Sequence, residues 1–319
     1  MQYGNQSYGR GGLGSGLMDE FKNAFRLQDN GLMQIIFINV AFFIAFLIMR
    51  VVLTLSGAES LYNSILGYFV MPASVSEFLR RPWTLITYFF MHEGFMHILF
   101  NMLFLYWFGV IIKQFLGGAK VVSLYVLGGV IGGLFYLLIY NFVPYFEERI
   151  ALSVMLGASA GVYAVVVGAA TLTPDYTINL LFLGPVRIKY IAIFYVLMSF
   201  AQSTGANAGG NLAHLGGAAL GFLFIKQLQS GTDLGKPIHW FLSFVKSFFV
   251  HQPKVRVTYK KSASEKASSK ASGGTKKTSS FDGDVSQEEI DSILDKISQH
   301  GYESLSKEEK QKLFNAGRK

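Results

Sequence analysis

The chain has no cysteine among its 319 residues, which excludes disulfides, thiol catalysis and thiolate metal sites. Charge is scarce too, at 15% of residues, and the scarcity is uneven. Between residues 30 and 226 there are only six acids: Glu59, Glu77, Glu93, Glu147, Glu148 and Asp175. Such a stretch, in a chain that is 51% hydrophobic with 29 Phe and a mean hydropathy of +0.36, has the composition of a polytopic membrane protein. Residues 1–30 lack the basic, apolar and small-residue layout of a signal peptide and read as a flexible Gly-rich cytoplasmic leader. The net charge of +8 sits mostly at the other end, where 17 Lys/Arg stand against 11 Asp/Glu from Lys226 onward. Within the Lys/Ser-rich part, residues 251–280, Tyr259 is the single aromatic, so the tail fits an anionic lipid surface better than a nucleic acid.

What is present is a series of apolar runs. They fall at about 33–56, 95–115, 121–143, 154–172, 188–200 and 211–228, and they predict an all-α polytopic membrane protein with a six-span domain over residues 31–230. The fifth run is short, a mismatch that local bilayer thinning accommodates. Residues 57–90 read as a connection lying in the headgroup layer, and 178–183 as an interfacial segment. Lys113, Lys120, Arg187, Lys189 and Lys226 fall on one side and Arg80, Arg81 and Arg149 on the other. The positive-inside rule then puts both termini in the cytoplasm. Residues 231–250 read as an amphipathic segment on the inner leaflet and 251–282 as a Lys/Ser-rich linker. Over 283–319, Ser286-x-x-Glu289 and Ser306-x-x-Glu309 predict two capping-box helices, the first ending at Gly301. Ile290, Ile293, Leu294 and Ile297 form an apolar face on the first, and this small helical module suits protein docking as well as it suits a purely structural tail.

One stretch carries a reactive group. Residues 155–170 are apolar except for Ser159, which stands between Gly157 and Gly161. Gly-x-Ser-x-Gly is also the spelling of the nucleophile elbow of soluble hydrolases, in which a strand precedes the serine. No strand pattern precedes this one, so the stretch reads as a membrane helix with Ser159 about a turn inside it. A Gly/Ala/Ser-rich helix is by itself a close-packing surface. Under the topology above, however, Ser159, His214, His97 and Asn101 all fall near the outer ends of spans four, six and two, and ionisable groups at such depths are rare and costly.

A serine hydroxyl needs a base, and His214 is the candidate. Gly217 and Gly221 lie on its helix face, so the backbone there can approach a neighbouring helix closely. Tyr163, four residues past Ser159, is placed to stack on the imidazole. His97 and Asn101, spaced i and i+4, each offer an N–H, the Ser159 backbone N–H is a third, and His92 is expected at the mouth of the site. No carboxylate has the position of a third triad member, Glu93 being the nearest acid, so the arrangement reads as a Ser-His dyad with no metal and no cofactor. Alternatives stay open at this point. His-x-x-x-Asn can be an interhelical clip, His92, His97 and His214 can be read as a metal set without the usual carboxylate or thiolate, and intramembrane polar groups also line transport paths.

Three motifs, His92-x4-His97-x3-Asn101, Gly157-x-Ser159 followed by Tyr163, and Ala213-His214-x-x-Gly217-x-x-x-Gly221, resemble those of the rhomboid family of intramembrane serine proteases over about residues 83–228. The resemblance implies a six-span helical fold, Ser159 as nucleophile, His214 as general base, and His97, Asn101 and the Ser159 N–H as the oxyanion hole. It also implies substrates that are single transmembrane helices cut near the outer membrane face, admitted beside span five, and a bacterial-type plasma membrane as the site of action. A proteolytically inactive rhomboid-like protein that binds or escorts membrane clients is the alternative. Two departures from the pattern stand out: Ala160, where the family commonly has Gly, and Thr84 after Trp83, where its first loop often has Arg.

Overall fold

The computed structural model describes residues 30–180, 184–249, 287–300 and 304–316. The chain divides into two compact units, Met1–Pro253 and Lys254–Lys319. The expected leader, apart from Asn30, and the Lys/Ser-rich linker over 251–282 lie outside the described residues.

In the first unit the apolar runs fold into α1 (Gly31–Leu55), α2 (Phe95–Leu116), α3 (Gly118–Phe142), α4 (Ser159–Leu172), α5 (Ile188–Ala201) and α6 (Ala208–Gln229), packed as one bundle. Among the described residues, α1, α2, α3 and α6 are long and apolar enough to cross a membrane, whereas α4 and α5 are equally apolar but only 14 residues each. The break between α2 and α3 falls at Gly117, whose φ of +86° a side chain would oppose. Large apolar residues of α1, among them Ile48, Val52 and Leu55, face outward, as suits a lipid solvent.

Small residues set the inner packing. A methyl added at Gly132 of α3 would come within 2.6 Å of Ala160 Cβ on α4 and 2.7 Å of Ala213 O on α6. Gly217 and Gly221 of α6 abut the carbonyl oxygens of Ala160 and Ala164 still more closely. With nothing between the backbones, α3, α4 and α6 interlock, and α4 is buried along most of its length. The order of these contacts makes α4 parallel to α6 and antiparallel to α3.

Basic residues tie one end of the bundle together. Lys113, near the end of α2, donates to Asn30 Oδ1 at 3.2 Å, and Lys120, at the start of α3, pairs with Asp233 beyond α6 at 2.6 Å. The antiparallel α4 ends there too and leads into a hairpin, β3 (Thr177–Leu180) and β4 (Gly184–Arg187), where Asp175 pairs with Arg187 and Lys189. The first strand of this hairpin falls in the stretch expected as an interfacial segment over 178–183, of which Leu181, Phe182 and Leu183 lie outside the described residues. Gly184-Pro185 ends the apolar run by starting the return strand.

At the opposite end two expectations need correction. The connection over 57–90 is not an irregular loop. It contains short helical turns and buries Val70, Met71, Tyr88 and Phe89, although Leu61 and Tyr68 remain outside. Arg81 Nη1 donates to Gly67 O at 2.6 Å and Trp83 Nε1 to Tyr68 O at 2.9 Å, so Arg81 anchors this segment from three residues before Thr84. The run before Ser159 is not helical either: β2 (Val154–Met155) pairs antiparallel with β1 (Met71–Pro72), clipping the connection to the approach of α4.

Past α6, α7 (Lys236–Phe249) is amphipathic, with Trp240, Phe241 and Phe244 exposed. Its first turn is held to α3 by the Lys120–Asp233 pair and by Ser123 Oγ, 3.2 Å from His239 Nε2.

The second unit holds α8 (Gln287–His300) and α9 (Lys307–Ala316). The capping box at Ser306 forms: its hydroxyl accepts from Glu309 N–H at 3.2 Å, and its own N–H donates to the Glu309 carboxylate at 2.7 Å. Lys296 reaches the same carboxylate at 3.0 Å. Ile293 and Leu305 are buried, whereas Leu294 is exposed, so the expected four-residue apolar face is not uniform. Ser286 and Gly301, the expected ends of α8, lie outside the described residues.

Candidate active site

Ser159 is the first residue of α4, not a residue one turn inside it. Gly157 has φ +123°, a conformation closed to most side chains, and its N–H donates to Tyr88 O at 3.0 Å. The chain therefore arrives extended through β2, turns at Gly157 and enters the helix at Ser159. This is a strand-turn-helix course, contrary to the uninterrupted helix expected from the sequence, with a strand of only two residues. As the first helical residue, Ser159 has a backbone N–H without an intrahelical acceptor.

His214 lies in the second turn of α6, whose glycine contact with α4 sets the separation of the two side chains. His214 Nε2 is 2.7 Å from Ser159 Oγ. The Tyr163 ring stacks on the imidazole, with centroids 4.2 Å apart and planes within 10°. Ala160, the first departure from the family pattern, seats its methyl against Gly132 of α3, where no side chain competes.

Sequence reasoning missed Ser199. Its hydroxyl on α5 lies 3.1 Å from His214 Nδ1, the face of the ring turned away from Ser159, and donates to Tyr163 Oη at 2.8 Å. A single small hydroxyl in an otherwise apolar span, four residues after Tyr195, was the available signal.

His97 and Asn101 occupy the first turns of α2 and line the same cavity of about 720 Å³ as Ser159, Tyr163 and His214. A methyl on Gly157 would lie 2.9 Å from His97 Nε2 and 3.6 Å from Ser159 Oγ, so the three residues meet at one point. Asn101 commits one amide hydrogen to His97 O at 2.8 Å. His92 is not at the mouth: it lies behind His97, ring edge to ring at 5.1 Å, and does not line the cavity. Burial, then the neighbouring His97, pushes its pKa down to about 4, so it is neutral. Glu93 precedes α2, as expected, and borders the cavity. Met96, Phe100, Phe104 and Val154 give the cavity apolar walls.

Residues 79–229 match the family model of the Rhomboid domain. The chain carries a rhomboid domain. Every cavity-lining polar residue named above falls within that rhomboid domain, and its apolar helices make the protein an integral membrane protein. A relative, RHOMBOID-like protein 12, mitochondrial, from Arabidopsis thaliana, is 31% identical over 160 residues. That alignment takes in 47% of this chain and 48% of the relative, so the two share about half their lengths. Beyond the rhomboid domain, residues 284–317 match a family of unknown function (DUF6576), and this match lies within the second unit.

Proposed function

We propose that this rhomboid-domain protein is an intramembrane serine endopeptidase that hydrolyses peptide bonds of single-span transmembrane substrates near the outer membrane face. The observation that carries this reading is the 2.7 Å contact between Ser159 Oγ and His214 Nε2, in a cavity walled by apolar side chains. His214 takes the Ser159 proton as the hydroxyl attacks the scissile carbonyl carbon. His97, Asn101 and the Ser159 N–H donate to the oxyanion, and the imidazolium returns the proton to the leaving amine. Water, activated by the same base, then hydrolyses the acyl-enzyme and frees Ser159.

In this reading α4 and α5 also cross the bilayer, which makes six spans. The end carrying Lys113, Lys120 and Arg187 faces the cytoplasm with both termini and the C-terminal unit. Substrate helices are admitted beside α5, which buries only Ile188, Ala192 and Ser199. The exposed aromatics of α7 lie in the inner leaflet, and α8 with α9 forms a docking module. The non-proteolytic alternative expects a lost serine or histidine, and both are present.

The test is labelling of the detergent-purified protein by a fluorophosphonate, together with cleavage of a transmembrane reporter. Wild type should label and cleave, and Ser159→Ala should do neither. A wild type that is folded yet inert in both assays would favour the binding alternative. Fractionation and protease protection of the tail check the membrane, bacterial-type plasma membrane or organelle, and the orientation.

A further inference from the structure

His214 has two ring nitrogens, and only the one that lacks a hydrogen can accept the Ser159 proton. Which one that is depends on the far side of the ring. Nδ1 lies 3.1 Å from Ser199 Oγ, Ser199 is 2.8 Å from Tyr163 Oη, and Tyr163 Oη is 3.4 Å from Tyr195 O, at the long end of the hydrogen-bond range. The last group is a backbone carbonyl, which can only accept. Tyr163 therefore spends its one proton on Tyr195 O, and its oxygen accepts from Ser199. The Ser199 proton being committed, Ser199 Oγ can only accept from His214. Nδ1 then carries the hydrogen, and Nε2 presents a lone pair to Ser159.

We propose that Ser199 is a positioning residue that holds His214 in the base-competent tautomer from α5. This rests on the protease reading above. The stacked Tyr163 ring fixes the plane of the imidazole but leaves rotation within that plane free, and the Ser199 contact stops that rotation. In a Ser-His-Asp triad a buried carboxylate does this work. Among apolar helices a carboxylate would be costly to desolvate, and a neutral hydroxyl performs the same orientation without a buried charge. Ser199 is 2% exposed and is the one fully buried polar side chain of α5. The helix thus contributes to the dyad through a single side chain.

The experiment compares wild type with Ser199→Ala and Ser199→Thr in detergent, reading kcat and KM on a transmembrane reporter and the histidine 15N spectrum. Ser199→Ala should lower kcat by about 10-fold with KM nearly unchanged, the effect of losing one hydrogen bond to a group that becomes charged. Ser199→Thr, which keeps the hydroxyl, should recover most of that loss. The His214 signal should show Nδ1–H with a bare Nε2 in wild type and a mixture of tautomers in Ser199→Ala. An unchanged kcat, or a tautomer signal identical in the two proteins, overturns the proposal. If wild type neither cleaves nor labels, the protease reading fails on its own, while the 15N spectrum still decides the role of Ser199.

Discussion

Tyr163 lies flat against the His214 imidazole, with planes 10° from parallel, and its hydroxyl is also the acceptor for Ser199. One side chain thus serves the base through its ring and through its oxygen. An aromatic stack contributes on the order of 0.5–1.5 kcal/mol beyond area burial. Tyr163→Phe should therefore retain several times more turnover than Tyr163→Ala. Reporter cleavage by the two variants measures this, and equal activities would mean the ring contributes nothing.

Residues of a dyad act as a unit, so Ser159→Ala, His214→Ala and the double variant should be inactive to the same degree. Asn101→Ala should be milder, roughly 10²-fold or less, because oxyanion donors partly substitute for one another. Single-turnover rates separate the two classes. A double variant far worse than either single would break the pairing.

The glycines of α6 make a prediction about stability. Gly217→Val and Gly221→Val would drive a side chain into the carbonyl oxygens of Ala160 and Ala164, which are helix backbone and cannot swing aside. Overpacking of this kind costs about 1–3 kcal/mol or more. Both variants should melt earlier in detergent and lose probe labelling. Gly94→Ala, where an added methyl meets nothing within 4 Å, should melt as wild type.

At the start of α7, burial first and then Lys120 lower the pKa of His239 from 6.5, with Asp233 opposing in part. A histidine whose folded value is depressed contributes stability that is complete above 6.5 and is lost as pH falls through the folded value. Burial pushes the Asp233 carboxyl up, but the Lys120 and Gly235 contacts outweigh it and hold it below 3.8, so that contact fails only in strong acid. The hydrogen-exchange protection factors of residues 236–249, with the intrinsic pH dependence of exchange divided out, should fall as pH drops below 6.5. His239→Gln should remove this step without removing the one in strong acid.

Deleting residues 254–319 should leave detergent activity near the full-length rate, since Ser159, His214, His97 and Asn101 all lie in the other unit. A truncated protein that keeps its melting temperature but loses cleavage would place the tail in the working site.

The membrane class, the apolar runs and the polar residues were legible in the sequence because they depend on composition and local period. The start of α2 at Phe95 and the end of α4 at Leu172 fell where the apolar runs predicted. Ser159, His214, Tyr163, His97 and Asn101 could be singled out in the sequence, and in the structure they line one cavity. The two-residue strand before Ser159 left no periodic trace, and it exists only because Met71 and Pro72 come from some 80 positions earlier to pair with it. The hairpin at 177–187 is likewise defined by its pairing partner. His92 could not be ranked against His97 from spacing alone, since the packing of the bend before α2 turned one toward the cavity and the other behind it. Ser199 was hidden for the same reason: a hydroxyl in an apolar helix acquires a role only when the approach of α5 to α4 and α6 brings it to Nδ1 of His214. Local sequence determined which groups were available, and long-range packing decided which of them meet.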